Sequence, residues 1–237
     1  MKKVCFITTS RADFGTLNEL INEAVDSKLF SVQLIISGSH NEKFYGNTQK
    51  EIFIKRRVLI NKVKVFSKNK DSKDVALSYA DCVKKFTNKL YKLKPHIFVV
   101  FGDRYEMHAA TVAAYVLRIP IVHIAGGEKT SGSIDDGFRH SISKLSNLHF
   151  PTSNEYKRRL IQLGENPKTI FNFGSLNVSK IKNNKYLNKK KLEKKLNIKF
   201  LKKNLIVTYH PDTVSVKTSL KHLLILLKSL KKFKNMM

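Results

Sequence analysis

The chain has 237 residues, of which 42% are hydrophobic, and this is enough to bury the core of one large domain or of one domain and a part. It contains no apolar run of the ~18 residues that a membrane-spanning helix requires, and Cys5 and Cys82 lack the spacing of a metal site, so we expect a cytoplasmic protein with two buried thiols. The net charge of +27 is spread over lysine-rich stretches such as residues 181–204 without a nucleic-acid-binding motif, which favours a solvated lysine surface over a nucleic-acid or membrane partner.

Short apolar runs alternate with amphipathic segments over the first 174 residues. The runs are typical of strands buried on both faces and span residues 3–8, 31–37, 96–102, 119–127, 148–153 and 169–174. The segments with apolar residues at helical spacing span residues 13–28, 72–94, 105–118, 134–146 and 154–164. This alternation predicts an α/β fold in which helices cover both faces of a Rossmann-like, doubly wound parallel sheet.

The composition changes after Gly174, where a lysine-rich linker with a short helix precedes a predicted strand at residues 204–210 and a helix from about Val214. One strand and one or two helices cannot bury an apolar face alone. We therefore expect an N-terminal Rossmann-like domain at residues 1–174, followed at residues 175–237 by a linker and the incomplete start of a second α/β domain.

Ligands of open parallel sheets bind beyond the carboxyl ends of the strands, so the loops that follow the strands are the places to look for a site. The first of these loops, TSRADFG, places Arg11 and Asp13 at the start of a helix. Free backbone N–H groups and an arginine there favour an anionic ligand such as a phosphate. An equally open alternative is that Asp13 caps the helix and Arg11 is a surface residue.

The loop FGDRYE follows the strand predicted at residues 96–102 and places Asp103 and Arg104 at the edge of the sheet. An acid beside an arginine in the same loop stays ionised, which suits a base or a hydroxyl-binding group better than a proton donor. A helix-capping role for Asp103 is the alternative.

The stretch HIAGGEKTSGSIDDGFRH follows the next strand and lies in a window, residues 101–150, where acidic and basic side chains balance. Such a neutral window stands out in a strongly basic chain. Gly126 and Gly127 are predicted to let the backbone approach a ligand closely, and Glu128 follows them directly.

A helix begins directly after that glycine-rich loop, near Asp135. One of the two aspartates at this point is expected to cap the helix. Arg139 lies one turn further along, so Asp135 and Arg139 share a helical face.

Two histidines follow predicted strands, His40 in SGSH and His210 in TYHP. A histidine between a strand and a helix can donate to a phosphate at the helix N-terminus or move a proton, and the alternative for each is a structural role. The sequence contains neither a P-loop motif nor GxGxxG, which disfavours P-loop nucleotide hydrolysis and an ordinary dinucleotide site.

The ordered set of these motifs resembles the hydrolysing UDP-N-acetylglucosamine 2-epimerases of sialic acid synthesis, and their relatives that act on a 2,4-diacetamido sugar in legionaminic acid synthesis. RADFG, SGSH, FGDR, HIAGGE, SGSIDD with FRHSISKLS, and YHP occur in the family's order from residue 3 to about 220. The resemblance implies the N-terminal half of a two-domain GT-B-type fold with its active site between two Rossmann-like domains. The family's chain continues past residue 237 to complete the nucleotide-binding domain, so this chain resembles a C-terminally truncated member.

The activity that the resemblance implies is elimination of UDP across C1 and C2 of the sugar to give a glycal, followed by addition of water to leave the epimerised free sugar. It implies a UDP-sugar as ligand, no metal or other cofactor, and a homo-oligomer or a separately encoded C-terminal half as the protein partner. An inactive truncated fragment of such an enzyme is one alternative, and a basic nucleic-acid-binding protein is another.

The resemblance also implies roles for particular residues, while the choice of base among the carboxylates stays open. The expected catalytic residues are Asp103, Glu128, Asp135 and His210. The expected substrate-binding residues are Arg11, Asp13, His40, Arg104, Gly126, Gly127 and Arg139. The chain departs from the family at Thr16, where a lysine is common, and at Ala125, where animal relatives have a glutamate.

Overall fold

Six parallel strands form the sheet around which the first part of the chain folds. This computed structural model describes residues 1–41, 48–52, 54, 58–65, 72–184, 186–209 and 216–233. The strands are β1 (Lys2–Thr8), β2 (Phe30–Ile36), β3 (Leu59–Lys62), β4 (Ile97–Phe101), β5 (Ile121–Ile124) and β6 (Leu148–Phe150). The helices are α1 (Arg11–Asp26), α2 (Ser72–Leu93), α3 (Tyr105–Val116), α4 (Asp135–Lys144), α5 (Asn154–Gln162), α6 (Leu176–Asn183), α7 (Lys189–Leu196) and α8 (Val216–Leu230). Within the described part of the chain, every helix is too short or too polar to span a bilayer.

Strand β1 is the centre of the sheet and pairs in parallel with β2 on one side and with β4 on the other. The strand order is β3-β2-β1-β4-β5-β6, so the chain winds outwards in opposite directions from β1 and β4. The loops that follow these two strands therefore flank a crevice at the carboxyl edge of the sheet, which is where doubly wound sheets bind ligands. The predicted α/β, Rossmann-like sheet is confirmed.

The two faces of the sheet have separate cores because successive side chains of a strand point to opposite faces. On one face, Cys5 of β1 belongs to a buried cluster with Phe86 of α2, Met107 of α3 and Ile142 of α4. On the other face, Phe6 of β1 packs in a cluster with residues of α1, and α6 adds Leu176 at its margin. Helices thus cover both faces, three on the first face and α1 with α6 on the second.

Most predicted helices and strands are confirmed, with bounds that differ by a few residues at their ends. The strand predicted at residues 169–174 is wrong, because only Ile170 forms an isolated bridge, to His149. Strand β3 was not predicted, since its four residues are mostly exposed at the sheet edge and carry no buried apolar run.

The chain divides into two compact units, Met1–Asn183 and Asn184–Met237. In the second unit, α7 is capped by Asn188, and α8 begins at Val216. The strand predicted at residues 204–210 is wrong for residues 204–209, because the described residues of this unit form no second strand to pair with it, and residue 210 lies outside the described residues. The division into domains at residue 174, with a nucleotide-binding domain after it, stays a prediction.

Cys5 and Cys82 are buried free thiols, as the sequence predicts. Burial raises the pKa of both, that of Cys82 to about 12. Thiols with raised pKa values stay protonated at neutral pH and are poor nucleophiles.

Replacing Phe86 with alanine is expected to destabilise the first unit by about 3–5 kcal/mol, because it leaves a cavity between α2 and the sheet. Tyr91→Ala on the same helix is the matched control, since Tyr91 is 67% exposed. Its expected effect is within about 0.5 kcal/mol. Urea unfolding followed by circular dichroism measures both, and equal losses in the two variants would contradict the assigned core.

Candidate functional site

Asp13 stabilises the loop between β1 and α1 through hydrogen bonds to its carboxylate. Its carboxylate accepts hydrogen bonds from the Thr9 N–H at 2.8 Å, the Thr9 hydroxyl at 2.9 Å and the Ser10 N–H at 2.7 Å, and it also contacts the Ser10 hydroxyl. Ser10 in turn caps α1, which completes a capping box. The capping alternative therefore accounts for Asp13, and its substrate-binding role stays a prediction. Arg11, the first residue of α1, is exposed at the same helix N-terminus.

His40 is buried beneath the same edge of the sheet. Its two ring nitrogens lie 3.0 Å from the Thr8 hydroxyl and 2.8 Å from the Thr48 hydroxyl. Burial lowers the pKa of His40, which favours the neutral ring. Both nitrogens are occupied by the protein, so the geometry favours a structural histidine, and the predicted substrate contact remains untested.

Arg104 pairs with Glu106 and not with its neighbour Asp103. Its Nε and Nη2 atoms donate to the two carboxylate oxygens of Glu106 at 3.2 and 2.8 Å. Asp103 and Arg104 do not pair with each other, because the backbone of Arg104 is extended, and adjacent side chains of an extended segment diverge. Burial lowers the pKa of Arg104, but the charge of Glu106 outweighs it, so the net pKa is raised and the guanidinium stays charged.

Arg139 joins two carboxylates from different loops. Its guanidinium contacts Asp103 at close range through Nη2 and lies 3.5 Å from Glu128 through Nη1. Glu128 also accepts a hydrogen bond from the Thr152 hydroxyl at 2.7 Å. The Arg139 side chain is 9% exposed, whereas those of Asp103 and Glu128 are 20% and 30% exposed. The arginine is therefore buried behind two carboxylates that remain accessible from the crevice.

Asp135 begins α4, the helix that also carries Arg139, but within the described part of the chain it forms no hydrogen bond or ion pair with the Arg139 cluster. Its carboxylate accepts from the Ser133 hydroxyl at 3.1 Å. Arg139 shares the helix with Asp135, yet its guanidinium is directed to Asp103 and Glu128. Neither aspartate of this turn is the cap residue, which is Ile134.

The glycines of the β5 loop are required by packing within the protein. A Cβ atom at Gly126 would lie 2.9 Å from both the His123 ring and the Ser143 hydroxyl. A Cβ atom at Gly127, where φ is +77°, would lie 2.5 Å from the Tyr156 carbonyl oxygen. These contacts position Glu128 by packing its loop against α4 and α5. A direct contact of either glycine with substrate stays a prediction.

His123 is a fully buried histidine that connects three parts of the site, and it is not among the site residues predicted from the sequence. Its Nε2 atom lies 2.9 Å from the Gly102 carbonyl oxygen, which can only accept, so Nε2 carries the proton. Its Nδ1 atom then accepts from the Ser143 hydroxyl at 3.0 Å, one turn after Arg139. Burial lowers the pKa of His123 to about 3, so the ring is neutral. A histidine inside an apolar strand gives no sequence signal that separates such a role from simple burial.

His210 lies outside the described residues, so its predicted role has no structural account. Among the residues that the structure describes, no group of three or more His, Cys, Asp or Glu side chains is arranged to hold a metal ion.

A family model for UDP-N-acetylglucosamine 2-epimerase matches residues 22–237 of the chain. The chain belongs to this family. Its similar relatives include the GDP/UDP-N,N'-diacetylbacillosamine 2-epimerase (hydrolyzing) of Campylobacter jejuni, which is 42% identical over 99% of this chain and 61% of its own length. The corresponding UDP-N,N'-diacetylbacillosamine enzyme of Legionella pneumophila is 32% identical over 89% of this chain and 56% of its own length. The chain thus spans about 60% of the length of these two relatives.

Solved structures of the same epimerase family share the fold. The UDP co-structure of S. aureus MnaA matches 100% of this chain and 61% of its own with a TM-score of 0.76 and 17% identity. The Neisseria meningitidis UDP-GlcNAc 2-epimerase bound to UDP-GlcNAc matches 82% of this chain and 52% of its own with a TM-score of 0.65 and 19% identity. These similarities establish the GT-B-like α/β fold of the family.

A cavity of about 600 Å³ adjoins the Arg139 cluster on the face of the sheet covered by α1. Most of its lining is apolar, but the polar side chains of Glu128, Thr152, Thr16 and Asn177 also line it. Thr16 donates to the Asn177 side chain at 3.0 Å, which connects α1 to α6.

This epimerase-family chain is expected to become less stable as the pH decreases, because His123 is buried in its neutral form. Its folded pKa of about 3 is below its usual value of 6.5, so only the unfolded state takes up a proton between these values. The contribution of His123 to the free energy of unfolding should be fully present above pH 6.5 and should decrease as the pH falls towards 3. Urea titrations at pH 7.5 and 5 measure the decrease, which should be smaller in His123→Gln. An equal decrease in both proteins would contradict the buried neutral ring.

Proposed function

We propose that this chain carries the sugar-handling half of a hydrolysing UDP-sugar 2-epimerase, which releases UDP and the C2-epimerised free sugar. The observation that supports it most is the cluster in which Arg139 holds Asp103 and Glu128 at the carboxyl edge of the sheet. The names of the 42% and 32% identical relatives support a nucleotide-linked N,N'-diacetylbacillosamine, a 2,4-diacetamido sugar, as the preferred substrate. Both names include UDP as the nucleotide, the first together with GDP, and the family membership favours UDP.

The first step of this reaction removes the C2 proton of the sugar while the bond between C1 and the UDP oxygen breaks. A proton that is only weakly acidic requires a positioned carboxylate. We assign this role to Glu128, because it lines the cavity and is the more exposed partner of Arg139. Asp103 is held more closely by Arg139 and would keep the guanidinium charge balanced as Glu128 takes up the proton.

The departing UDP carries the electron pair of the broken bond and needs positive charge near its phosphates. Arg104 and Arg11 supply that charge, together with the N-terminus of α1, at the switch point between β1 and β4. Asp13 and His40 would shape this end of the crevice from beneath, since their polar atoms are bonded to the protein.

The second step adds water to the glycal, with the hydroxyl group at C1 and a proton at C2 on the face opposite to the one that lost it. Asp135 is assigned to this step because it lies outside the Arg139 cluster and its carboxylate accepts a hydrogen bond from the Ser133 hydroxyl. His210 keeps its predicted catalytic role as a proposal only. The two steps involve no net oxidation, so the scheme requires no redox cofactor. A homo-oligomer or a separately encoded C-terminal half remains the proposed protein partner.

Turnover in heavy water tests this proposal directly. The chain is incubated with UDP-N,N'-diacetylbacillosamine and, separately, with UDP-N-acetylglucosamine, and UDP and free sugar are followed by NMR. The expected products are UDP and a sugar with one deuterium at C2, formed faster from the diacetamido substrate. Glu128→Gln should lower kcat by about 10²- to 10⁴-fold, because it removes the positioned base. Asp103→Asn should also lower kcat, because Arg139 loses the partner that balances its charge as Glu128 takes up the proton.

Asp81→Asn is the matched control, because Asp81 pairs with Lys85 on the surface of α2 and its loss should leave turnover unchanged. If the wild-type chain releases no UDP at high enzyme concentration, the chain alone is not the enzyme and the inactive-fragment alternative holds. If Glu128→Gln retains full activity, the assignment of the base is wrong.

A further inference from the structure

Glu106 is a buried acid that the reaction scheme does not use. It lies in the first turn of α3, directly after the β4 loop, and only 2% of its surface is exposed. A buried carboxylate is costly unless it is paired and hydrogen-bonded. Its partner in this structure is Arg104, whose own side chain is 44% exposed. The pair therefore joins a fixed, buried acid to an arginine that reaches solvent at the crevice.

The contact between the two side chains is a fork. Nε and Nη2 of Arg104 each donate to a different oxygen of Glu106, at 3.2 and 2.8 Å. An arginine has five N–H donors in one plane, so two bonds to Glu106 fix that plane and leave three donors on its outer edge. A fork of this kind sets both the direction and the rotation of the guanidinium.

The surroundings of Glu106 place this fork at the switch point. Oε1 of Glu106 would lie 3.2 Å from a Cβ atom built on Gly38, in the loop after β2, and the same Cβ would lie 2.6 Å from the Thr9 carbonyl oxygen after β1. The negative charge of Asp13, at the start of α1, also raises the pKa of Arg104. The loops that follow β1, β2 and β4 thus meet around the carboxylate of Glu106.

We propose that Glu106 is a positioning residue that holds Arg104 with its free donors directed at the diphosphate of the leaving nucleotide. The identity of that ligand rests on the proposed function, whereas the orientation of Arg104 rests on the fork itself. Glu106 does not touch the ligand. It acts by removing the freedom of a long side chain before the ligand arrives, which lowers the entropy lost on binding.

General electrostatics and positioning predict opposite results when the charge of Glu106 is removed. In a chain of net charge +27, one negative charge fewer should strengthen the binding of any anion. Glutamine keeps the shape of the side chain but places an N–H₂ group against one arginine donor, so it breaks the fork. Weaker anion binding by Glu106→Gln would therefore report orientation and not charge.

Calorimetric titration with inorganic pyrophosphate and with UDP measures the effect. We expect Glu106→Gln to bind both about 2- to 10-fold more weakly than the wild type, as expected when a side chain must be immobilised on binding. Asp81→Asn changes the net charge equally on the surface of α2 and should bind equally well or slightly better. In an Arg104→Met background, Glu106→Gln should have no further effect, because a positioning residue acts only through its partner.

Two further measurements test the proposal if Glu106→Gln folds poorly. Glu106→Asp keeps the charge but shortens the side chain, and it should weaken binding like Glu106→Gln. In the wild type, the Nε–H NMR signal of Arg104, identified by its loss in Arg104→Lys, should be resolved and should shift when pyrophosphate is added. Unchanged or tighter binding by Glu106→Gln, an equal loss in the Arg104→Met background, or a wild type that binds no pyrophosphate would each overturn the proposal. Failure of the turnover assay with these binding results intact would remove the proposed reaction and leave the role of Glu106 standing.

Discussion

The contact on which the rest of the site depends is the one between Arg139 and its two carboxylates, Asp103 and Glu128. A buried guanidinium without partners is strongly unfavourable, and breaking a buried pair costs about 3–5 kcal/mol. Satisfying Arg139 therefore draws the β4 loop and the β5 loop to the first turns of α4. Because both carboxylates are partly exposed to solvent, separating either one from Arg139 costs less free energy, so each can still bind a ligand. One buried cation thus fixes the positions of two acids that are 25 residues apart in the chain.

The second arginine of the crevice has the opposite arrangement. Arg104 reaches solvent and its acid, Glu106, is buried, whereas Arg139 is buried and its acids reach solvent. The crevice therefore presents a cation at the switch point and two anions at the β5 side. An elimination needs both, since a base must take a proton at one carbon while negative charge leaves from the next. His123 connects the β4 loop to α4, because its ring is hydrogen-bonded to the Gly102 carbonyl directly before Asp103 and to the Ser143 hydroxyl one turn after Arg139.

The sequence predicts which residues lie at the carboxyl edge, because strand ends can be located from apolar runs and parallel strands end at one edge. It does not predict the partners. Asp103 and Arg104 are adjacent, but an extended backbone separates their side chains, and each pairs with a residue from another element. Glu106 was missed because an acid in the first turn of a helix is ordinarily a surface residue that interacts with the helix dipole. Gly126 and Gly127 were attributed to a ligand, whereas the Cβ positions show that the neighbouring side chain and backbone already require them.

The large positive charge of the chain makes these local pairs necessary for specificity. A net charge of +27 attracts any anion, but at physiological salt the field of exposed lysines is screened within about 8 Å. Such a field cannot distinguish a diphosphate from other anions, nor can it hold a carboxylate in the geometry that proton removal requires. Oriented donors do both, because their direction is set by bonds that salt screens far less. The neutral window at residues 101–150 is therefore the part of the chain where direction, rather than the amount of charge, determines what binds.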